Sequence, residues 1–329
     1  MSSGIFKNFK KNTKIFMLSL LFAVLRFVWS DLLGFCFCKF SKFVDFFFFV
    51  WYNRAKQKKE KVDMAFLNIL CIGDVVGEPG VGFLKKHLWN LRKAHDIDCV
   101  VANGENCSKG NGIDPESASA IFESGADIVT TGNHVWRKKE IYGFLDENGF
   151  VLRPANYPDS CPGMGHNIVL VAGYKILFVN LLGTVYMEPG IESPFVAADR
   201  IFSREGGGYD FAVIDIHAEA TSEKLALAMY IDEKNAGASI IFGTHTHVQT
   251  ADERLLKNGA GYITDLGMTG SGDCVLGIKS ELIIQKFLTK MPVKFEAGES
   301  GLTIGGAIFK IDTKNFKCVE IKRINFTEN

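Results

Sequence analysis

From Leu67 onward, short apolar runs alternate with amphipathic stretches of helical spacing, and this alternation constrains the fold more than any other feature of the chain. LNILCI (67–72), DCVVAN (98–103), DIVTTG (127–132), FAVIDIHAE (211–219) and SIIFGTH (239–245) each read as a buried strand running out into polar residues. Between the first two, residues 79–94 place Phe83, Leu84, His87, Leu88 and Leu91 on one helical face. Asp114-Pro115 opens a second helix, an N-cap followed by Pro at the first position, that stops near Gly125. The spacing predicts further helices over 137–148, 194–204, 221–235 and 280–291. NIVLVAG (167–173) and KILFVNLLG (175–183) read as an antiparallel hairpin turning at Gly173, and two strands close the chain around 302–311 and 316–326. This order predicts one α/β domain over residues 64–329: a layered fold with mixed β-sheets flanked by helices.

Residues 1–63 have another composition. Lys7, Lys10, Lys11 and Lys14 precede an apolar run from Ile15 to Leu25, which Arg26 and Asp31 interrupt. A second run, 43–52, contains Asp45 and leads into Arg54, Lys56, Lys58, Lys59 and Lys61. No small-residue cleavage site follows, which argues against a signal peptide. Each run falls short of the roughly 20 apolar residues of a spanning helix unless Arg26 or Asp31 is tolerated. One expectation is a membrane anchor with both basic flanks in the cytosol. The other is an over-extended start: Met64 stands just before the first strand, and the Lys-Glu-Lys-Val-Asp ahead of it needs purine-rich codons like those of a bacterial ribosome-binding site. The Phe- and Lys-rich low-complexity stretch, with FCFCKFSKFVDFFFF at 35–49, is what AT-rich noncoding DNA encodes when translated.

With 37 basic and 37 acidic residues, the chain has no global field for nucleic acid or an anionic membrane. A small anionic substrate then needs positive charge supplied locally. The eight Cys form no CxxC pair and no regular framework, so a reducing, cytoplasmic setting with free thiols is expected. A membrane-anchored, cytosol-facing protein is the alternative if residues 1–63 are translated. Cys107 reads as filler, and no Cys-rich set points to structural zinc.

Polar residues cluster just past the strand ends. Asp74 follows the first strand, Glu105-Asn106 the second, Asn133-His134 the third; His217 ends FAVIDI, and His245 and His247 follow SIIFG. The carboxyl ends of strands in α/β sheets are where ligands collect. Alone, each residue has an ordinary reading: Asp74 a cap or turn, Asn133 a left-handed turn residue, the paired histidines solvated loop residues. Coincidence changes the odds, because four of the seven His fall directly after strands. His87 and His95, on or beside a helix, and His166, in a loop, read as structural or solvent-exposed. A mixed imidazole and oxygen set suits Fe, with Mn second, over Mg or Ca. A carboxylate such as Glu105 can bridge two cations about 3.5–4 Å apart.

Gly132-Asn133-His134 and Gly243-Thr-His245-Thr-His247 resemble the GNH and GHxH blocks of the calcineurin-like metallophosphoesterases. The fuller set is similar to the YmdB family of bacterial metallophosphoesterases: GDVVGEPG (73–80), NGEN (103–106), TGNHVW (131–136), DIHAE (215–219), GTHTHVQT (243–250) and TDLGMTG (264–270). The chain departs from the wider superfamily as that family does. Asp74-Val-Val lacks the superfamily's His, Glu105-Asn106 replaces its second Asp, and Val135 stands where an acidic residue follows GNH. The resemblance implies a two-metal phosphodiesterase holding divalent or trivalent ions, associated with iron and with 2′,3′-cyclic nucleotides. Asp74, Glu105, Asn106 and His247 would hold one ion; Glu105, Asn133, His217 and His245 would hold the other. His134 would be the acid that protonates the leaving oxygen as metal-bound hydroxide attacks; its structural alternative is a helix-start residue packed on Trp136. Backbone amides of a Gly-rich loop, 267–272, would either contact the substrate phosphate or form a simple turn. Competing expectations are a phosphatase of monoesters or phosphoproteins, and a nucleotide-sensing regulatory module without turnover. RNA is a further candidate substrate, and a homo-oligomer is expected on general grounds. Protein purified from its native cell is predicted to begin at or near Met64; mass spectrometry finding an intact N-terminal peptide from residues 1–63 would contradict this.

Overall fold

The computed structural model describes residues 64–187 and 190–328. The expected anchor or extension therefore lies outside the described residues; among these, no helix is long and apolar enough to cross a membrane. Two sheets carry the fold. In the first, β1 (Phe66–Ile72), β3 (Cys99–Asn103), β4 (Ile128–Thr130) and β5 (Val151–Leu152) run parallel in that order. β13 (Leu302–Asp312) pairs antiparallel with β1, and β14 (Lys317–Thr327) antiparallel with β13. β2 (Asp74–Val75) and β12 (Met268–Ser271) complete that sheet beside β13. In the second, β7 (Tyr174–Leu182), β8 (Phe211–His217), β9 (Ala238–Thr244) and β11 (Gly261–Ile263) are parallel, with β6 (His166–Val171) and β10 (Arg254–Leu255) antiparallel at the edges.

The central strands β3, β8 and β9 are buried on both faces because both are covered. With a side-chain period of two, Leu67, Ile69 and Cys71 of β1 and Cys99 and Val101 of β3 point into the gap between the sheets. There they meet Ile176 and Phe178 of β7, Phe211 and Val213 of β8, and Ile240 and Phe242 of β9. The alternate residues of the second sheet, among them Leu177, Ile214 and Ile241, face α4 (Pro194–Glu205) and α5 (Thr221–Glu233) through Ala197, Ile201, Leu227 and Ile231. α1 (Gly77–Ala94), which buries Phe83, Leu84 and Leu88, packs on α2 (Pro115–Ser124), β12 and β13. The domain is thus a helix–sheet–sheet–helix sandwich, the layered α/β architecture that the strand–helix order implies.

The same alternation turns polar at one end. On β8 the inter-sheet face runs Phe211, Val213, Asp215, His217; on β3 it runs Cys99, Val101, Asn103. Asn103 Nδ2 donates to Asp215 Oδ2 at 3.0 Å across the gap, and Thr130 Oγ1 donates to the same oxygen at 2.5 Å. Asn180 of β7 reaches back across, donating to the carbonyls of Thr131 (2.8 Å) and Leu152 (3.0 Å). Apolar packing therefore ends in a hydrogen-bonded floor, and the strand-end loops sit on it.

Three local expectations change. The helix predicted over 137–148 shrinks to α3 (Ile141–Glu147), because Arg137, Ile141 and Tyr142 close successive three-residue turns onto the carbonyls of His134, Lys138 and Lys139. The Gly-rich segment is not a loop: Met268–Ser271 is β12, laddered to β2 and β13, and Gly270 packs on Val76. Its strand pairing places Met268–Ser271 within the sheet rather than in a turn. His166 lies on β6 rather than in a loop. The hairpin turn stands as read: Val171 pairs with Tyr174, leaving Ala172 (φ 49°) and Gly173 (φ 91°) as a two-residue turn with both φ positive. α6 (Ser280–Thr289) forms as expected but buries none of its residues.

Candidate metal centre

Each loop at the polar end delivers a donor to one point. Asp74 and Glu105 are fully buried, as is His217. Glu105 is the hub. Its Oε1 accepts from Asn106 Nδ2 at 2.9 Å and lies 3.3 Å from His134 Nδ1; its Oε2 lies 3.1 Å from His217 Nε2 and accepts from the His134 amide at 3.2 Å. Asn133 Oδ1 is 3.2 Å from His217 Nε2, and His245 Nδ1 is 3.1 Å from that same nitrogen. On the other side, His247 Nε2 is 3.8 Å from Asp74 Oδ1 and 3.4 Å from Asn106 Nδ2. All seven ligands expected from the sequence, and His134, thus join one contact network, within which Glu105, His217 and His245 form a group able to hold a metal ion.

The proton positions explain why so many lone pairs meet. His217 Nδ1 is 2.8 Å from Thr244 Oγ1, and that hydroxyl donates its own proton to Asp215 Oδ1 at 2.7 Å. The Thr244 oxygen is left to accept, so neutral His217 carries hydrogen on Nδ1 and turns a bare Nε2 inward. His247 Nδ1 faces the Leu276 carbonyl at 3.1 Å, which can only accept, so its Nε2 is bare as well. Asp74 Oδ2 accepts from the His245 amide at 2.9 Å, while Asp74 Oδ1 is buried with no hydrogen-bond partner. A buried, unpartnered carboxylate oxygen beside imidazole nitrogens and a second carboxylate is costly unless a cation neutralises it. The residues therefore fit a metal centre with mixed nitrogen and oxygen ligands.

The electrostatics agree. Burial opposes charge on Glu105, but His217 and His134 outweigh it and hold the carboxyl well below the usual range. Burial raises Asp74, against the pull of His247 and His217. Burial likewise opposes charge on His217, yet Glu105, Asp74 and Asp215 lift its pKa to about 9. His245, pressed by burial and by the charge on His217, falls to about 3. The proton drawn to His217 thus occupies the place of a cation.

The scaffold around the ligands is equally specific. His245 (φ 99°) and His247 (φ 64°) both adopt the left-handed backbone that costs a non-glycine residue about 1–3 kcal/mol. Asp265 holds this loop: its Oδ2 accepts from the Thr246 amide (3.1 Å), Thr246 Oγ1 (2.8 Å) and fully buried Lys224 Nζ (2.7 Å). Gly132 is required by space, since a Cβ there would come within 2.2 Å of Glu105 Oε2 and 2.3 Å of His217 Nε2. Asp215, Lys224, Thr244 and Asp265 carry no role in the sequence reading. The signal for Asp215 was its place two residues before His217 on the same strand face. Trp136 packs edge-on against Tyr142 and Tyr157, at 5.6 and 5.5 Å between centroids, while His134 turns to Asn106 Oδ1 at 3.1 Å. His87 and His95 lie on α1 and at its end, outside the network.

Because the raised pKa of His217 means a proton must leave before a metal can bind, metal affinity should rise with pH up to about 9 and level off above it. Metal titrations in weak buffer at pH 7 should release protons; affinity that is flat between pH 6 and 9 would contradict the assignment.

Comparison with known proteins places this geometry in a family. A family model described as YmdB-like protein matches residues 70–324. A Bacillus subtilis (strain 168) protein named 2′,3′-cyclic-nucleotide 2′-phosphodiesterase is 43% identical over 258 residues, covering 78% of this chain and 96% of the relative. A crystal structure of a hypothetical protein from Thermus thermophilus superposes with a TM-score of 0.74 at 39% identity, covering 80% of this chain and all of the other. A Mycoplasma pneumoniae crystal structure, described as a novel phosphatase, gives a TM-score of 0.75 at 31% identity, covering 81% and 95%. The match extends over most of the chain and spans every ligand-bearing strand end, and the chain belongs to the YmdB-like protein family.

Proposed function

We propose that residues 64–329 form the catalytic domain of a metal-dependent phosphoric diester hydrolase, acting on 2′,3′-cyclic nucleotides in the cytoplasm. The observation that carries this is the set of bare donor atoms turned to one point around Glu105, in a chain 43% identical to a protein named for that activity. Asp74, Glu105, Asn106 and His247 would hold one ion, and Glu105, Asn133, His217 and His245 the other, with iron the better match and manganese the second. Bound there, the ions supply positive charge to phosphate oxygens and acidify water.

The chain's own groups do the rest. Glu105, ionised and buried, draws both ligand clusters onto one carboxylate. His134 donates from Nδ1 to Asn106 Oδ1, which fixes the ring over the site; acting as the acid, it would be the imidazolium, with the second hydrogen, on Nε2, as the one transferred. At 20% side-chain exposure that ring stands at the solvent-facing edge, where a departing ribose oxygen would receive its proton. Asn106 serves twice, with its amide nitrogen on Glu105 and its oxygen on His134.

The description of the Mycoplasma structure as a phosphatase favours monoesters as the second reading. A panel of 2′,3′-cyclic nucleotides, phosphomonoesters, a phosphopeptide and RNA, run with metal analysis, separates the two. Turnover concentrated on the cyclic diesters is expected, and faster turnover of monoesters would overturn the diesterase reading. His134→Ala should keep its metal and lose about 10²–10⁴ in kcat, whereas Asp74→Ala should lose metal first. Full turnover by His134→Ala would refute the acid role.

A further inference from the structure

Of the three ligand imidazoles, His245 is the one that turns its outward nitrogen to a half-exposed carboxylate. Its Nδ1 faces His217 Nε2, so Nδ1 is the atom offered to a metal. Its Nε2 lies 3.2 Å from Glu219 Oε2, with the His245 side chain 21% and the Glu219 side chain 51% exposed. We propose that Glu219 is a positioning residue for the metal centre: its carboxylate sets an acceptor oxygen within ion-pair distance of His245 Nε2 and so favours hydrogen on that nitrogen, the tautomer that leaves Nδ1 bare. The inference rests on the metal-centre reading above and adds a residue that this reading does not use.

The argument is one of proton placement. A neutral imidazole has one N–H, and a metal can take only the other nitrogen. His217 has its N–H anchored by Thr244 and, behind it, Asp215; His247 has its N–H anchored by the Leu276 carbonyl. Glu219 completes the pattern for the third ligand. Chain geometry favours it: His217 ends β8, and Glu219 follows two residues later in the bend that leaves the strand. One short segment thus supplies a ligand and the group that orients the ligand's neighbour. The backbone of His245, at φ 99° with its amide tied to Asp74, holds the loop, but an acceptor beside the ring decides which ring nitrogen carries hydrogen. Acceptors of this kind are typically worth 10–100-fold in metal affinity or activity.

The test is Co²⁺ titration of metal-free, full-length protein, followed by the visible absorption of the bound ion. Glu219→Ala should weaken one Co²⁺ equivalent about 10–100-fold and alter its absorption band. Glu219→Gln keeps an oxygen that can accept the Nε2 hydrogen and should stay close to the parent. Equal affinity for Glu219→Ala and parent would overturn the proposal, as would a Gln variant as weak as the Ala variant, which would make charge rather than hydrogen-bond acceptance the cause. A parent protein that binds no Co²⁺ would instead bring down the metal-centre reading itself, a failure distinct from either variant result.

Discussion

The contact between Glu105 and His217, a buried carboxylate 3.1 Å from a buried imidazole, is where the two sheets meet chemically. Glu105 follows β3 of one sheet and His217 ends β8 of the other. Four further residues are placed relative to this pair: Asn133 and His245 converge on His217 Nε2, and Asn106 and His134 converge on Glu105. Without a cation the pair is an ion pair, with the proton held on His217 up to about pH 9. With a cation, that proton is replaced. The same lone pairs that would repel one another in a bare, deprotonated site would then face a cation, so the fold carries a local electrostatic cost that a bound metal would remove.

That cost is contained by what lies beneath and beside the site. Asp215, whose carboxyl burial raises to about 6 against the opposing pull of His217 and of hydrogen bonds from Thr130, Asn103 and Thr244, forms a polar floor between two apolar faces. The Lys224–Asp265 pair, fully buried, anchors a loop with two left-handed histidines. A buried ion pair is weak evidence for stability, but here each charge also orders a functional loop: Asp265 binds Thr246, which sits between His245 and His247. The strained backbone and the buried pair are parts of one device.

The architecture was legible because both sheets obey the two-residue period, and runs such as LNILCI and FAVIDI show covered strands directly. The convergence of the candidate donors was legible because they fall at strand ends, where parallel sheets bring distant loops together. Three things were hidden. The shortened α3 depends on turns that return the chain from His134, which helical spacing cannot reveal. β12 looked like a loop because Gly270 reports close packing on Val76 rather than freedom. The supporting groups, Thr244, Lys224 and Asp265, look like ordinary strand and helix residues until a partner from another element is placed against them. The expectations for residues 1–63 lie outside the described residues.

The most direct test of the central claim is anomalous X-ray scattering from crystals of the metal-loaded protein, collected at the absorption edge of the bound metal. Two peaks about 3.5–4 Å apart, with the Glu105 carboxylate between them and His217 and His247 on opposite sides, are the predicted result. A single peak, or none within coordinating reach of Glu105, would contradict a dinuclear centre built on that carboxylate.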